Sequence, residues 1–335
     1  MSRRATRPAR ATPTRRRVVG GAAVAGVATL VAIGTLAGCA DDGVQRETAP
    51  DTAFPVLQDY PDVEVVEDLE FGSPDAATRL DVCLPDEEAP PVAAGTTEPE
   101  TSQPRAAVLI VHGGSWRQGD KADVAWRNVC EWLADEGFVA VNTNYRLAPE
   151  HPFPAGIDDV RTAVHWIRDD DQVERFDIDP DRVAAFGGSA GGNLASLLGV
   201  EGEGDLTSGS RVKGVVNLSG PADLSTAGFA LGGVVASFRD IQLDYLGCVD
   251  YESCGVAEAA SPIYSVDPTD PPFFVGHSHD ERIPMQQSDA LVDALGDAGV
   301  ATTYVTVPGT MHSIAMLNEE MRDRITEWLR VTLAP

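Results

Sequence analysis

RVAAFGGSAGGN, residues 182–193, carries the strongest structural signal in the chain. An apolar run ending at Phe186 is typical of a buried strand, and helical periodicity follows at 193–200. Between them, Gly187-Gly188-Ser189-Ala190-Gly191 has the Gly-x-Ser-x-Gly pattern of a strand–turn–helix corner, too tight for side chains two residues before and after the serine. We therefore expect the Ser189 hydroxyl to be exposed at a helix N-terminus, whose dipole favours developing negative charge.

Short apolar runs alternate with helical periodicities on both sides of this corner. Further strands are predicted at 107–111, 138–142, 212–218, 273–276 and 302–307, and helices at 124–136, 156–168, 288–295 and 319–333. Val63–Leu69 and Thr78–Leu84 alternate apolar and polar residues around a turn, which predicts an antiparallel hairpin. The expected fold class is therefore α/β, with a doubly wound, mostly parallel sheet preceded by a hairpin.

The stretch 225–259 interrupts the alternation and is predicted to be a lid or cap insertion over the active edge of the sheet. Its aromatic residues Phe229, Phe238 and Tyr245, together with the surroundings of Trp116, are candidates for the lining of an acyl or alcohol pocket. Simple packing as core or lid is an equally open interpretation of these side chains.

A glycine-rich turn follows the predicted strand 107–111 and reads His112-Gly113-Gly114-Ser115-Trp116. Backbone amides in such a turn approach a carbonyl oxygen without obstruction and stabilise the charge that acyl transfer develops on it. Gly113, Gly114 and Ser115 are the candidate donors, with the amide of Ala190 after the serine. We expect His112 to brace the turn.

These motifs, with the run YRLAPEHPFPAGIDD at 145–159, resemble the hormone-sensitive-lipase-like branch of the α/β hydrolases, which includes bacterial esterases of short acyl chains. The resemblance extends from about Asp62 to the C-terminus and implies the α/β-hydrolase fold. Ser115 replaces the usual third glycine, and Gly188 stands where an acidic residue is common. Trp116 is similar to a neighbouring branch that contains feruloyl and acetyl-xylan esterases and arylformamidases.

The fold places its triad in the order serine, acid, histidine. Of the three histidines that follow Ser189 in the sequence, His312 lies between the last strand and the last helix, where the resembled family has its base. Asp280 lies in the preceding loop, before an Ile-Pro pair, and is the predicted acid. Asp267, Asp270 and Glu281 are alternatives, with Glu281 expected to be solvated.

The predicted chemistry is hydrolysis of a small-molecule ester through an acyl-enzyme, with no cofactor. Cleavage of an amide by the same triad, as in a peptidase or arylformamidase, is an alternative, and a non-catalytic ligand-binding lipoprotein is a further one. His277 and His279 are two residues apart and suggest a metal site, but no further ligand cluster has convincing spacing. No metal is therefore expected.

The N-terminus has the layout of an export signal. Seven arginines in the first 17 residues precede the apolar run 18–37, which ends in Leu36-Ala37-Gly38-Cys39. This ending resembles a bacterial lipobox, which implies lipidation of Cys39, and the arginines resemble a twin-arginine signal. We therefore expect a signal peptide at 1–39, a linker at 40–60, a catalytic domain at 61–335, and a lipid anchor on the extracytoplasmic face of the cell membrane.

Four cysteines remain after Cys39, an even number in a compartment that permits disulfides. Cys248 and Cys254 are the predicted pair, whereas Cys83 and Cys130 are either bridged or free. The formal net charge of −27 should repel nucleic acid, so no nucleic-acid partner is expected. The oligomeric state stays open between monomer and homodimer.

Overall fold

The computed structural model describes residues 43–49, 57–72, 78–86, 104–233 and 236–335. The predicted signal peptide 1–39 and its lipidation site Cys39 lie outside the described residues, as do positions 40–42 and 50–56 of the predicted linker. The described elements all belong to one unit, Asp41–Pro335. Among the described residues, no helix combines the length and the apolar character needed to cross a membrane.

The described residues form a nine-stranded mixed sheet in the order β1-β9-β8-β7-β6-β4-β5-β3-β2. The strands are β1 Val44–Thr48, β2 Glu64–Glu70, β3 Arg79–Leu84, β4 Arg105–Val111, β5 Val139–Thr143, β6 Ile178–Gly188, β7 Gly214–Leu218, β8 Phe273–Ser278 and β9 Thr302–Val307. The helices are α1 Val124–Asp135, α2 Ala155–Ile167, α3 Asp170–Phe176, α4 Ala190–Gly199, α5 Thr226–Ala230, α6 Ala236–Leu246, α7 Gln286–Asp297 and α8 Glu319–Thr332.

The pairing directions confirm the predicted fold class. β3 pairs antiparallel with β2 and with β5, as the hairpin prediction requires, whereas the pairs from β5 through β4 to β1 are parallel. In the parallel register Val111 faces Gly187, so β4 and β6 end side by side. The loops that carry the two glycine motifs therefore both leave the sheet at the carboxyl ends of the parallel strands.

The core lies on both faces of the sheet, which is why the central strands are apolar throughout. Leu109 of β4 belongs to the apolar cluster on one face, which includes residues of α2, α4 and α7, and Ile110 belongs to the cluster on the other face, which includes residues of α1 and α8. Both side chains are fully buried. Truncating such a leucine to alanine costs about 2–5 kcal/mol of folding free energy, so the sheet is a rigid base for its loops.

Part of the predicted linker is wrong, because Val44–Thr48 forms the edge strand β1. Four of its five side chains are exposed, and parallel backbone pairing with β9 holds it in place. An edge strand needs no apolar face, so its composition resembles that of a tether. The short helix α3 was also not predicted; its N-cap Asp169 accepts from the amide of Asp171 at 3.1 Å.

Two disulfides join the four cysteines of the described domain. Cys248–Cys254 is the predicted pair and closes a short loop after α6. Cys83–Cys130, which the sequence left open, ties β3 to α1 across the buried face of the sheet.

Candidate active site

Ser189 is the N-cap of α4 and has φ +56° and ψ −123°. This left-handed backbone is rare for a residue with a side chain, and such strain concentrates at functional sites. The amide of Ser189 donates to the carbonyl of Leu218 at 2.8 Å, which ties the corner to β7. The predicted strand–turn–helix geometry around Ser189 is therefore present.

The glycines of the corner are required by close approach. A β-carbon at Gly187 would overlap the carbonyl of Gly191, and one at Gly191 would overlap the carbonyl of Val111. A β-carbon at Gly188 would overlap Ser313 Oγ and lie 3.1 Å from the ring of Trp126. The space for an acidic side chain at 188 is thus already filled, which accounts for this departure from the resembled family.

His312 follows β9 and begins the loop that leads to α8. Its neighbour Ser313 is buried against Gly188 and donates its amide to Ser219 Oγ at 3.0 Å. Ser219, also at positive φ, donates its own amide to the carbonyl of Gly276. These contacts hold the His312 loop on the corner that carries Ser189. No hydrogen bond joins the two side chains within the described residues, as is common for catalytic pairs before substrate binds.

The acid beside His312 is Glu281, so the prediction of Asp280 is wrong as to position. Glu281 Oε2 contacts His312 Nδ1, and its side chain is fully buried. Asp280 is exposed, and in the described residues no hydrogen bond or ion pair joins its carboxylate to His312. The expectation that Glu281 is solvated is also wrong.

The physical reason is the turn that follows β8. His279 and Asp280 form this turn, and the amide of Asp280 donates to the carbonyl of Gly309 at 2.9 Å. The carboxylate of Asp280 consequently faces solvent, whereas the chain turns inward at Glu281. No local alternation separates the two adjacent acids, because residues 281–283 form a bend and not an extended strand.

The two remaining candidate acids are engaged elsewhere in the fold. Asp270 is held near Arg211, with 3.6 Å between carboxylate and guanidinium. Asp267 lies in the same turn as Asp270, where its carboxylate accepts from the amide of Thr269 at 2.6 Å and its own amide donates to Asp270 at 2.9 Å. Both precede β8, and Glu281 is therefore the acid that the fold brings to His312.

The glycine turn after β4 lies beside the nucleophile. A β-carbon at Gly113 would be 3.3 Å from Ser189 Cβ, and the turn continues through positive φ at Gly114 and Ser115. Within the described residues, the amides of Gly113, Gly114, Ser115 and Ala190 donate to no backbone carbonyl. All four predicted donors are thus free of backbone acceptors next to Ser189.

His112 is fixed within this turn. Its Nδ1 donates to the carbonyl of Gly113 at 2.8 Å, its ring stacks on Tyr145, and its own carbonyl accepts from the Tyr145 hydroxyl at 3.0 Å. Burial lowers the pKa of His112, so the imidazole is neutral at pH 7. This geometry supports a bracing role.

The predicted insertion packs directly on the glycine turn. The ring of Trp116 stacks on Tyr245 of α6 with centroids 4.3 Å apart, and Phe238 lies 6.4 Å from it. Arg117 forms an ion pair with Asp244 at 3.3 Å. Trp116, Phe238 and Tyr245 are all buried, so these rings serve as packing between cap and turn.

His277 has neighbours for both ring nitrogens. Its Nδ1 lies 2.7 Å from Ser288 Oγ, and its Nε2 lies 2.9 Å from the carbonyl of Ile283. Nε2 is also 3.1 Å from Glu281 Oε1. These contacts leave no ring nitrogen for a metal, and the described residues contain no group of three metal-ligating side chains.

Sequence comparison identifies related proteins over most of the described domain. The BD-FAE family model matches residues 96–295, a range that contains Ser189 and Glu281. Esterase LipQ of Mycobacterium tuberculosis is 32% identical over 223 residues, which cover 62% of this chain and 50% of LipQ. Esterase LipC of the same organism is 31% identical over 226 residues, 65% of this chain and 55% of LipC. The chain thus spans about half the length of these curated relatives.

Solved structures match the fold over a larger share of the chain. A truncated form of a carbohydrate esterase from gut microbiota superposes with a TM-score of 0.67 at 22% identity, covering 84% of this chain and 99% of that one. Esterase B from Lactobacillus Rhamnosis superposes with a TM-score of 0.65 at 23% identity, covering 83% and 87%. The architecture is therefore that of the α/β-hydrolase fold.

Proposed function

The chain belongs to the BD-FAE family. Its similarity to the esterases LipQ and LipC is consistent with the resemblance to the hormone-sensitive-lipase-like esterases, and we propose that the protein is a serine carboxylesterase. Ser189 is the nucleophile, His312 the base and Glu281 the acid. The observation that carries this proposal is the contact of Glu281 Oε2 with His312 Nδ1, on a loop held against the strained corner of Ser189.

The mechanism is a two-step acyl transfer. The Ser189 oxygen attacks the ester carbonyl while its proton passes to His312 Nε2, and the amides of Gly113, Gly114, Ser115 and Ala190 are available for the oxyanion. His312 then gives this proton to the departing alcohol. Water repeats the sequence on the acyl-enzyme, releasing the carboxylic acid and restoring Ser189.

Glu281 acts on His312 and not on the substrate. A carboxylate at Nδ1 keeps the proton on that nitrogen, which leaves Nε2 free to accept from Ser189. It also stabilises the imidazolium that forms in each step. Since the Glu281 side chain is fully buried, water screens this interaction little.

Hydrolysis of p-nitrophenyl acetate and butyrate tests the proposal, with Ser189→Ala as the matched variant. We expect the wild type to hydrolyse both and the variant to lose activity while its circular dichroism is unchanged. Activity that survives the substitution would refute the nucleophile. A panel of esters and matching anilides then defines the substrate class, and we propose short acyl esters; faster anilide hydrolysis would favour an amidase.

We also propose that the protein is exported and lipidated at Cys39. The basic head, the apolar run and the Leu-Ala-Gly-Cys ending support this proposal. The two disulfides also support it, because disulfides persist in oxidising compartments. Labelling of cells with a palmitate analogue should mark the wild type but not Cys39→Ala, and Cys39→Ala should leave the membrane fraction. Equal labelling of both would refute the anchor.

A further inference from the structure

We infer that His277 is a positioning residue that holds the Glu281 carboxylate in the orientation required by His312. This inference rests on the proposed function, since it concerns the acid of the same triad. Glu281 has one oxygen toward each of two histidines, with Oε2 on His312 and Oε1 3.1 Å from His277 Nε2.

The protonation of His277 follows from its neighbours. Nε2 faces a carbonyl oxygen, that of Ile283 at 2.9 Å, and the Glu281 carboxylate, and both are acceptors only. This nitrogen must therefore carry a proton. Burial lowers the pKa of His277, so Nδ1 is unprotonated and accepts from the Ser288 hydroxyl at 2.7 Å. Ser288 thus fixes the tautomer that places an N–H on Nε2, between the carbonyl of Ile283 and the carboxylate of Glu281.

Glu281 needs such a neighbour. A buried carboxylate with one oxygen unpartnered carries a large desolvation cost. In the described residues Oε1 has no hydrogen-bond partner, because the His277 N–H is directed at the carbonyl of Ile283, but His277 Nε2 lies only 3.1 Å from this oxygen. The charged and titratable groups around His277 are Glu281, His312 and Asp289. The protonated Nε2 of His277, 3.1 Å from Oε1, places a polar N–H beside this otherwise unpartnered oxygen.

The expected consequence is on turnover. Outer partners that orient a functional group are worth about 10- to 100-fold in metal sites, and we expect a loss of this size here. His277→Met, which introduces an apolar side chain of similar length with no N–H donor, should lower kcat by about 10- to 100-fold and leave KM within about threefold. His277→Gln, which can return an amide N–H to the Nε2 position, should recover most of this loss.

A double-mutant cycle separates positioning from structural support. If His277 acts through Glu281, the loss from His277→Met should disappear in a Glu281→Ala background, to within about twofold in kcat. Ser288→Ala keeps His277 and Glu281 but removes the hydroxyl that donates to His277 Nδ1 and fixes its tautomer, so it should lower kcat without changing KM. His279→Met, at an exposed position two residues away, is the matched control and should have no effect.

A readout independent of hydrolysis is the low-field proton NMR signal of His312 Nδ1–H, assigned by its loss in His312→Ala. This signal should shift or broaden in His277→Met and persist in His279→Met. An unchanged signal with wild-type kcat, or an equal kcat loss in the Glu281→Ala background, would overturn the role of His277. Absence of Ser189-dependent hydrolysis in the wild type would instead overturn the proposed function, whatever the NMR comparison shows.

Discussion

The carboxylate of Glu281 and the imidazole of His312, 31 residues apart in the chain, meet through Oε2 and Nδ1. The Glu281 side chain is fully buried, whereas the His312 side chain is 22% exposed. The pair therefore has a dry inner end and an accessible outer end. That arrangement suits an acid that orients a base while the base still reaches the substrate.

Replacing each of the two neighbouring acids by its amide tests this arrangement. Glu281→Gln keeps the shape of the side chain but removes the charge that fixes the tautomer of His312, so kcat should fall by about 10³- to 10⁴-fold. Asp280→Asn changes an exposed carboxylate and should stay within about twofold of the wild type. Steady-state kinetics on p-nitrophenyl butyrate provides the comparison. A large loss in Asp280→Asn with little loss in Glu281→Gln would return the acid to Asp280.

The stacking of Trp116 on Tyr245 should stabilise both the cap and the glycine turn. Tyr245→Ala removes a buried ring and should lower the free energy of unfolding by about 3–5 kcal/mol and reduce kcat/KM. Tyr245→Phe is the matched control, because the buried hydroxyl has no hydrogen-bond partner in the described residues. Its loss should be neutral or stabilising. Urea denaturation and kinetics measure both effects, and equal effects of the two variants would contradict the stacking argument.

The two disulfides should differ in their contribution to stability. In the loop-entropy description, stabilisation grows with the length of chain enclosed. Cys83–Cys130 spans 47 residues and Cys248–Cys254 spans 6, which correspond to about 4 and about 2 kcal/mol. Replacing each pair by serine and comparing chemical denaturation should give the larger loss for Cys83–Cys130. The reverse order would show that strain or residual structure outweighs loop closure.

Asp270 should impose a pH dependence on stability. Burial raises its pKa to about 6, with the amide of Asp267 and the more distant Arg211 opposing the shift. A raised folded-state pKa means that the native protein binds a proton more readily than the unfolded chain. This stabilisation is complete below about pH 4 and is lost as the pH rises through 6.

Asp270→Asn removes this titration. Its unfolding free energy relative to the wild type should therefore increase between pH 4.5 and 7.5, by up to about 3 kcal/mol. Asp250→Asn is the control: hydrogen bonds from Ser253 lower the pKa of Asp250, and this carboxylate is not among the groups that shift Asp270, so its difference from the wild type should be flat over this range. A flat Asp270→Asn difference would show that the carboxylate titrates as in the unfolded chain.

The sequence predicted the elements whose signal is local. The corner at Ser189 and the hairpin of β2 and β3 depend on glycine spacing and on alternation, which are readable within about ten residues. β1 was missed because backbone pairing with β9, far along the chain, holds it in place. Its mostly exposed side chains show no apolar alternation from which an edge strand could be predicted.

The assignment of the acid beside His312 was also beyond the reach of local sequence patterns, here for a single side chain. Asp280 has the expected spacing from the Ile-Pro pair, but which of two adjacent acids turns inward depends on the hydrogen bond between Asp280 and Gly309. That contact joins two loops distant in sequence. Likewise, the bridge between Cys83 and Cys130 follows from the packing of α1 on β3, which no local pattern specifies.

The central claim is that Ser189 is the nucleophile of an acyl-enzyme, and mass spectrometry of the protein after reaction with a fluorophosphonate tests it most directly. We predict one covalent adduct, located by peptide mapping on Ser189, absent in Ser189→Ala and formed much more slowly in Glu281→Gln. An adduct on another residue, or labelling of Ser189→Ala at the wild-type rate, would contradict the account.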